Sequence, residues 1–143
     1  MSDIIAKEVK LNHPIDKVWK AISVGEEIST WFIKTDFKAE KGFNYTFTAS
    51  EDKGCITITG EVKESNPYVL IYTWVVQDTD VETTVKWELE SIEGGKTKLT
   101  LEHSGISNYK GDTAVAMFES FSGGWGDCIN QLTDYLKEVV HAG

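Results

Sequence analysis

Residues 84–104 have the sequence TVKWELESIEGGKTKLTLEHS, in which apolar and polar residues alternate on both sides of a turn. Trp87 and its apolar neighbours alternate with charged residues before Gly94 and Gly95, and the alternation continues after them as far as His103. This period of two is typical of antiparallel strands with one face in a core and one face in water. The stretch therefore predicts a hairpin with Trp87 and His103 on its inward face.

Similar alternation occurs in most of the chain before residue 113. The predicted strands cover residues 3–12, 35–39, 43–49, 55–65, 68–76, 82–91 and 96–104. After the first strand, Pro14 favours the first turn of a short helix, and a second short helix is predicted at 26–31. Residues 105–112 predict a polar loop. From 113 to 140, Val115 and later apolar residues recur every three or four positions, which predicts one long amphipathic helix.

This order of elements predicts an α+β fold, in a single domain spanning residues 1–143. A curved antiparallel sheet should pack one face on the long C-terminal helix, with two short helices after strand 1. The long helix contains Gly123, Gly124 and Gly126, each of which costs about 0.5–1 kcal/mol relative to alanine. We expect a close approach of the helix to the sheet, or a local kink that opens a pocket, to offset this cost.

The composition argues against several kinds of partner. The chain has 14 basic and 23 acidic residues and a net charge of −9, which repels nucleic acid and anionic membrane surfaces. No apolar run approaches the roughly 20 residues that span a bilayer, so membrane insertion is not expected. The N-terminal residues lack the pattern of a signal peptide, and a cytoplasmic location is therefore expected.

No metal site or cofactor is expected. The common nucleotide-binding, metalloprotease and hydrolase motifs do not occur, and His13, His103 and His141 are not at metal-ligand spacing. Cys55 and Cys128 lie in unrelated segments, so two free thiols are favoured over a disulfide.

His103 is the one histidine predicted on an inward strand face. It could orient a ligand carbonyl or act as an acid or base near neutral pH, or it could hold a structural hydrogen bond, which we favour. Its carboxylate neighbours are predicted to face outward, so no acid–base pair is evident and a non-enzymatic role is favoured.

Aromatic residues dominate the predicted inward faces. Each one alone fits an ordinary core, but together they have the composition of a ligand pocket with a few polar anchors. The predicted lining of a cavity between the sheet and the last helix is Trp31, Phe43, Tyr45, Phe47, Tyr72, Trp74, Trp87, His103, Phe118, Phe121 and Trp125. Trp31 and Phe32 could form a gate or could fix the second short helix to the sheet.

Several segments, taken in order, resemble one protein family. The segment 14–21, PIDKVWKA, followed by Trp31, resembles the first signature of the START-like helix-grip superfamily. The segments that resemble its activator-of-Hsp90-ATPase homologue group are 60–62 (GEV), 66–67 (NP), 72–74 (YTW), 87–89 (WEL), 95–105 (GKTKLTLEHSG) and 124–125 (GW). The resemblance covers nearly the whole chain and implies a helix-grip fold like that of the birch-pollen allergen.

The resemblance implies three classes of function, because the superfamily includes lipid carriers, hormone receptors and polyketide cyclases. The leading hypothesis is a binding module for a small hydrophobic or amphipathic molecule. The second is a protein-interaction module that assists a chaperone ATPase, as in the eukaryotic namesake, whose C-terminal domain alone resembles this chain. The third is an enzyme of the cyclase or hydratase type that uses His103 and tyrosine hydroxyls.

Overall fold

The computed structural model describes residues 4–32, 34–51, 54–66, 68–77 and 81–138, with the backbone alone for 49–51, 54–56 and 138. The elements are β1 (Ile5–Leu11), α1 (Ile15–Ser23), α2 (Gly25–Trp31), β2 (Lys34–Thr35), β3 (Asn44–Glu51), β4 (Gly54–Asn66), β5 (Val69–Val76), β6 (Glu82–Ile92), β7 (Lys96–Ser104), a 3-10 helix (Ile106–Asn108) and α3 (Gly111–Glu138). Their types and order agree with the prediction, apart from the added 3-10 helix.

The seven described strands form one antiparallel sheet in the order β1-β7-β6-β5-β4-β3-β2. The hairpin predicted from residues 84–104 is confirmed as β6 and β7, with Trp87 opposite Leu101. Gly94 and Gly95 form its turn with φ of 82° and 72°, which glycine adopts without steric cost. The sheet curls around α3, and the predicted α+β helix-grip class is confirmed.

The long helix α3 buries one face, most completely in its C-terminal half. Trp125, Leu132 and Leu136 are buried there. The prediction that Val115 belongs to the buried repeat is wrong, because its side chain is 46% exposed. Ala114 takes the inward position instead, since it lies about three helical turns before Trp125 and shares its face. Residues 139 and 140 of the predicted helix lie outside the described residues, and no described helix is both long and apolar enough to cross a membrane.

The segment between β7 and α3 is not the polar loop that the sequence predicts. Gly105 has a φ of 84°, and the 3-10 helix follows it directly. Ile106 and Tyr109 are both buried. Ile106 lies between Gly105 and Ser107, and Tyr109 lies between Asn108 and Lys110, so the segment has no apolar repeat long enough to mark them as core. The turn at Gly105 directs them inward.

The predicted strand at 35–39 is much shorter in the structure, because β2 ends at Thr35. Beyond Thr35, hydrogen bonds to side chains replace the backbone hydrogen bonds of the strand pair. The Asp36 carboxylate accepts a hydrogen bond from the Thr46 N–H at 2.8 Å, and Thr35 Oγ1 accepts one from the Phe37 N–H at 3.1 Å. Such local bonds compete with strand pairing. Phe37 then turns into the core, where it is 3% exposed.

Gly60 in β4 is the glycine on which close packing depends most. A Cβ at this position would lie 2.0 Å from the Thr73 carbonyl oxygen and 2.7 Å from the Tyr45 hydroxyl oxygen. The Tyr45 hydroxyl donates a hydrogen bond to that same carbonyl. Of the two alternatives expected at Gly123, Gly124 and Gly126, a close approach of the helix to the sheet is wrong, because a Cβ at any of the three would meet no atom within 4 Å outside the helix's own backbone.

We predict opposite effects for alanine substitutions at these two kinds of glycine. Gly60→Ala should lower the free energy of unfolding by about 1–3 kcal/mol or more, because the added methyl group overlaps the Tyr45–Thr73 hydrogen bond. Gly123→Ala should raise it by about 0.5–1 kcal/mol through the higher helix propensity of alanine. Urea denaturation of both variants measures the two changes. Destabilisation by Gly123→Ala as large as that by Gly60→Ala would contradict this packing.

Candidate functional site

Most of the predicted site residues lie in the core. Those that are buried are Trp31, Tyr45, Phe47, Tyr72, Trp74, Trp87, His103 and Trp125. The half-buried ones are Phe43, Phe118 and Phe121. The buried rings contact one another, with centroids 5.1 Å apart for Trp74 and Trp125 and 5.9 Å apart for Trp87 and Trp125. The structure therefore brings most of the predicted residues into one aromatic cluster.

A small cavity lies between the two short helices and the sheet. Its volume is about 10 Å³, at the lower limit of the space that one water molecule needs. The side chains that line it are Ile22, Ile28, Trp31, Phe32, Phe37, Phe47, Tyr72 and Trp87. Phe32 is half-buried, whereas the other seven are buried, so its ring is the part of the wall closest to solvent.

The wall of this cavity combines residues that the sequence indicates with others that it does not. Trp31, Phe47, Tyr72 and Trp87 are shared between the predicted lining and the observed wall. Phe37 is missed because the segment around it is not the regular strand that the prediction assumes. Ile22 could have been predicted as a buried residue, since it follows Val18 at helical spacing on the buried face of α1.

His103 lies at the centre of a chain of hydrogen bonds that crosses the core. The Trp125 indole N–H donates to His103 Nδ1 at 2.8 Å. Because an indole nitrogen can only donate, Nδ1 is unprotonated and the ring proton is on Nε2. Nε2 therefore donates to Thr83 Oγ1 at 2.6 Å, and the Thr83 hydroxyl donates to the Trp74 carbonyl oxygen at 3.2 Å. Both ring nitrogens of His103 have partners.

This environment keeps His103 neutral. Burial lowers its pKa to about 4, since the charged ring would lose its hydration. Protonation at Nδ1 would also place a proton against the Trp125 N–H. The favoured structural role of His103 agrees with this geometry, which leaves neither ring nitrogen available for acid–base catalysis near neutral pH.

The tyrosines of the core donate or accept hydrogen bonds within it. The Trp87 indole N–H donates to the Tyr72 hydroxyl oxygen at 2.9 Å. Burial raises the pKa of Tyr72 and of Tyr45, so both hydroxyls keep their protons. Burial likewise raises the pKa of Cys128, a free buried thiol. The Cys55 side chain lies outside the described residues.

No buried side chain in the described part of the core carries a formal charge. The buried polar side chains there are Ser23, Thr73, Thr83, Thr97 and neutral His103. The described residues also contain no group of three or more histidine, cysteine, aspartate or glutamate side chains that could hold a metal ion. The interior is thus suited to an uncharged, mostly apolar occupant.

The family assignment rests on a match over most of the chain. The family model described as "Activator of Hsp90 ATPase homolog 1-like protein" matches residues 12–137. The chain belongs to this family. Its START-like fold commonly binds hydrophobic ligands. None of the curated proteins compared with the sequence matches it.

Solved structures of several members of this fold superpose closely on the chain. It is 31% identical to protein BH1534 from Bacillus halodurans, with a TM-score of 0.73 over 93% of this chain and 96% of that one. It is 26% identical to protein MLL2253 from Mesorhizobium loti, with a TM-score of 0.82 over 96% and 99%. DynU16, encoded in the dynemicin biosynthetic locus, is 22% identical, with a TM-score of 0.81 over 96% of this chain and 48% of DynU16.

We predict that His103 makes stability fall as the pH is lowered. Its pKa is 6.5 in the absence of burial and about 4 in the fold, so the unfolded chain binds the proton first. The stability it contributes is complete above pH 6.5 and is lost as the pH falls through 4, a difference of about 3 kcal/mol. Urea denaturation between pH 4 and 8 measures this for the unmodified protein and for His103→Gln.

The glutamine variant is the matched control. Its amide oxygen can accept from Trp125 and its amide nitrogen can donate to Thr83, but it does not titrate. Carboxylates and the other histidines titrate alike in both proteins, so the difference between the two pH profiles isolates His103. Parallel profiles would show that His103 is not held neutral by the fold.

Proposed function

We propose that this protein binds a small apolar or amphipathic molecule in its interior, at the cavity beneath α2. The observation that carries the proposal is the wall of that cavity, which consists of aliphatic and aromatic side chains, Tyr72 among them. Such walls are typical of small-molecule sites. The frequent binding of hydrophobic ligands by proteins of this fold supports it.

The described conformation is closed, and a ligand requires it to open. About 10 Å³ admits no organic molecule, so side chains of the wall must move. Phe32 is the best candidate because it is half-buried and follows the last residue of α2. Its ring stacks on Trp31 at 5.4 Å and meets Phe47 edge-on at 5.8 Å. Outward rotation of this ring would join the cavity to solvent.

A chaperone-related role is a second candidate, because the family is described by its likeness to an activator of the Hsp90 ATPase. A net charge of −9 would favour docking on a basic surface of such a partner. Adding the purified protein to the chaperone should then raise its rate of ATP hydrolysis. An unchanged rate over a range of protein concentrations would remove this candidate.

We predict that Phe32→Ala increases the binding of a neutral fluorescent probe such as N-phenyl-1-naphthylamine. Loss of the ring enlarges the cavity and removes the wall nearest to solvent. The free energy of unfolding should fall by only about 1–3 kcal/mol, less than for a fully buried phenylalanine. Fluorescence titration measures the affinity, and urea denaturation measures the stability.

Phe118→Ala is the matched control, since Phe118 is also half-buried but is not part of the cavity wall. It should leave probe affinity unchanged. Equal gains in both variants would indicate general loosening of the core. Absence of probe binding in the unmodified protein and in both variants would contradict the proposed function.

A further inference from the structure

The four buried tryptophans differ in one respect, the acceptor of the indole N–H. Trp31 donates to the Ala21 carbonyl oxygen at 2.8 Å. Trp87 donates to the Tyr72 hydroxyl, and Trp125 donates to His103 Nδ1. The Trp74 N–H is buried and has no acceptor among the described residues, although this side chain is only 4% exposed. Buried donors in folded proteins nearly always have a partner, so an acceptor is expected for this N–H that the described residues do not supply.

Trp74 is close to the cavity without being part of its wall. Its ring contacts Phe47, a wall residue, with centroids 5.9 Å apart. On its other sides it meets Trp125 at 5.1 Å, His103 at 5.7 Å and Phe121 at 6.4 Å. A molecule that enters the cavity and displaces the Phe47 ring would therefore reach Trp74.

The surroundings define which kind of molecule could use this donor. The described core holds no charged side chain, and its one histidine is kept neutral by Trp125 and Thr83. A ligand with a formal charge would lose its hydration there without gaining a counter-charge. A ligand that lacks an acceptor would leave the Trp74 N–H unpaired. An uncharged acceptor such as a carbonyl oxygen satisfies both conditions.

We propose that Trp74 determines the specificity of the interior site: its indole N–H donates a hydrogen bond to an uncharged acceptor, such as a ketone, on an otherwise apolar ligand. This assignment rests on the proposed function. It defines the ligand class as neutral molecules with an apolar body and at least one hydrogen-bond acceptor. Saturated or unsubstituted hydrocarbons of the same shape are the poorer ligands.

The test compares two probes of nearly equal shape, 2-acetylnaphthalene and 2-ethylnaphthalene, of which only the first carries a carbonyl oxygen. Equilibrium dialysis measures the Kd of each for the unmodified protein and for Trp74→Phe. The variant should weaken binding of the ketone about five- to tenfold and change that of the hydrocarbon less than about twofold, as expected for the loss of one neutral hydrogen bond.

Trp31→Phe is the matched control. It removes the same atoms of an indole ring, here one in the cavity wall, but the Trp31 N–H is already bonded to the Ala21 carbonyl oxygen. It should affect the two probes equally. If Trp74→Phe weakened the binding of both probes equally, the assignment of Trp74 would be overturned and the proposed function would remain intact. Failure of the unmodified protein to bind either probe would instead count against the proposed function.

A second measurement needs no substitution in the protein under test. In ¹⁵N-labelled unmodified protein, the Trp74 indole N–H resonance should move downfield when the ketone is added and should not do so with the hydrocarbon. Trp→Phe variants assign the indole signals. An indole shift that is the same with both probes, or that is absent with a bound ketone, would contradict the hydrogen bond. An absent shift would also be the result if a buried water molecule were the permanent acceptor of the Trp74 N–H.

Discussion

The hydrogen bond from Trp125 to His103 connects the long helix to the sheet, and the arrangement of the core depends on it. From His103 the chain of donors and acceptors continues through Thr83 to the Trp74 backbone, so it links α3 to three adjacent strands. Each member has polar atoms that must be satisfied in an apolar interior. The network therefore fixes where α3 can lie along its own axis, since sliding by one turn would leave the Trp125 N–H and His103 Nδ1 unpaired.

Burial explains why the described part of the core, although rich in rings with polar tips, carries no charge. His103 is neutral because its environment favours the unprotonated Nδ1, and Tyr72 keeps its proton because burial raises its pKa. The Trp74–Trp125 pair is tilted and the Trp87–Trp125 pair is edge-to-face, and such pairs contribute about 0.5–1.5 kcal/mol beyond their buried area. A closed, well-packed interior results, in which a ligand must compete with ring–ring contacts. Phe32 is the wall residue with the least burial to lose.

The fold was predictable because its two periodicities are regular. Alternation assigned the inward positions of β6 and β7, and helical spacing placed Trp125 and Leu132 on the buried face of α3. Phe37 and Ile106 escaped prediction, since each enters the core through local side-chain bonds or a glycine turn and belongs to no repeat. The aromatic composition of the core was predictable for the same reason as the strands. Whether these aromatic rings fill the interior or surround a cavity was not predictable, because this depends on rotamers and contacts that periodicity does not encode.

The family match and the structure together describe a helix-grip protein whose described core holds no charged side chain and whose buried Trp74 N–H has no acceptor among the described residues. The arrangement of this core depends most on the protonation state of His103. A ¹⁵N NMR titration of the imidazole ring tests it directly. We predict a neutral ring with the proton on Nε2, unchanged from pH 8 to pH 5.5. A midpoint near 6.5, or a proton on Nδ1, would contradict it.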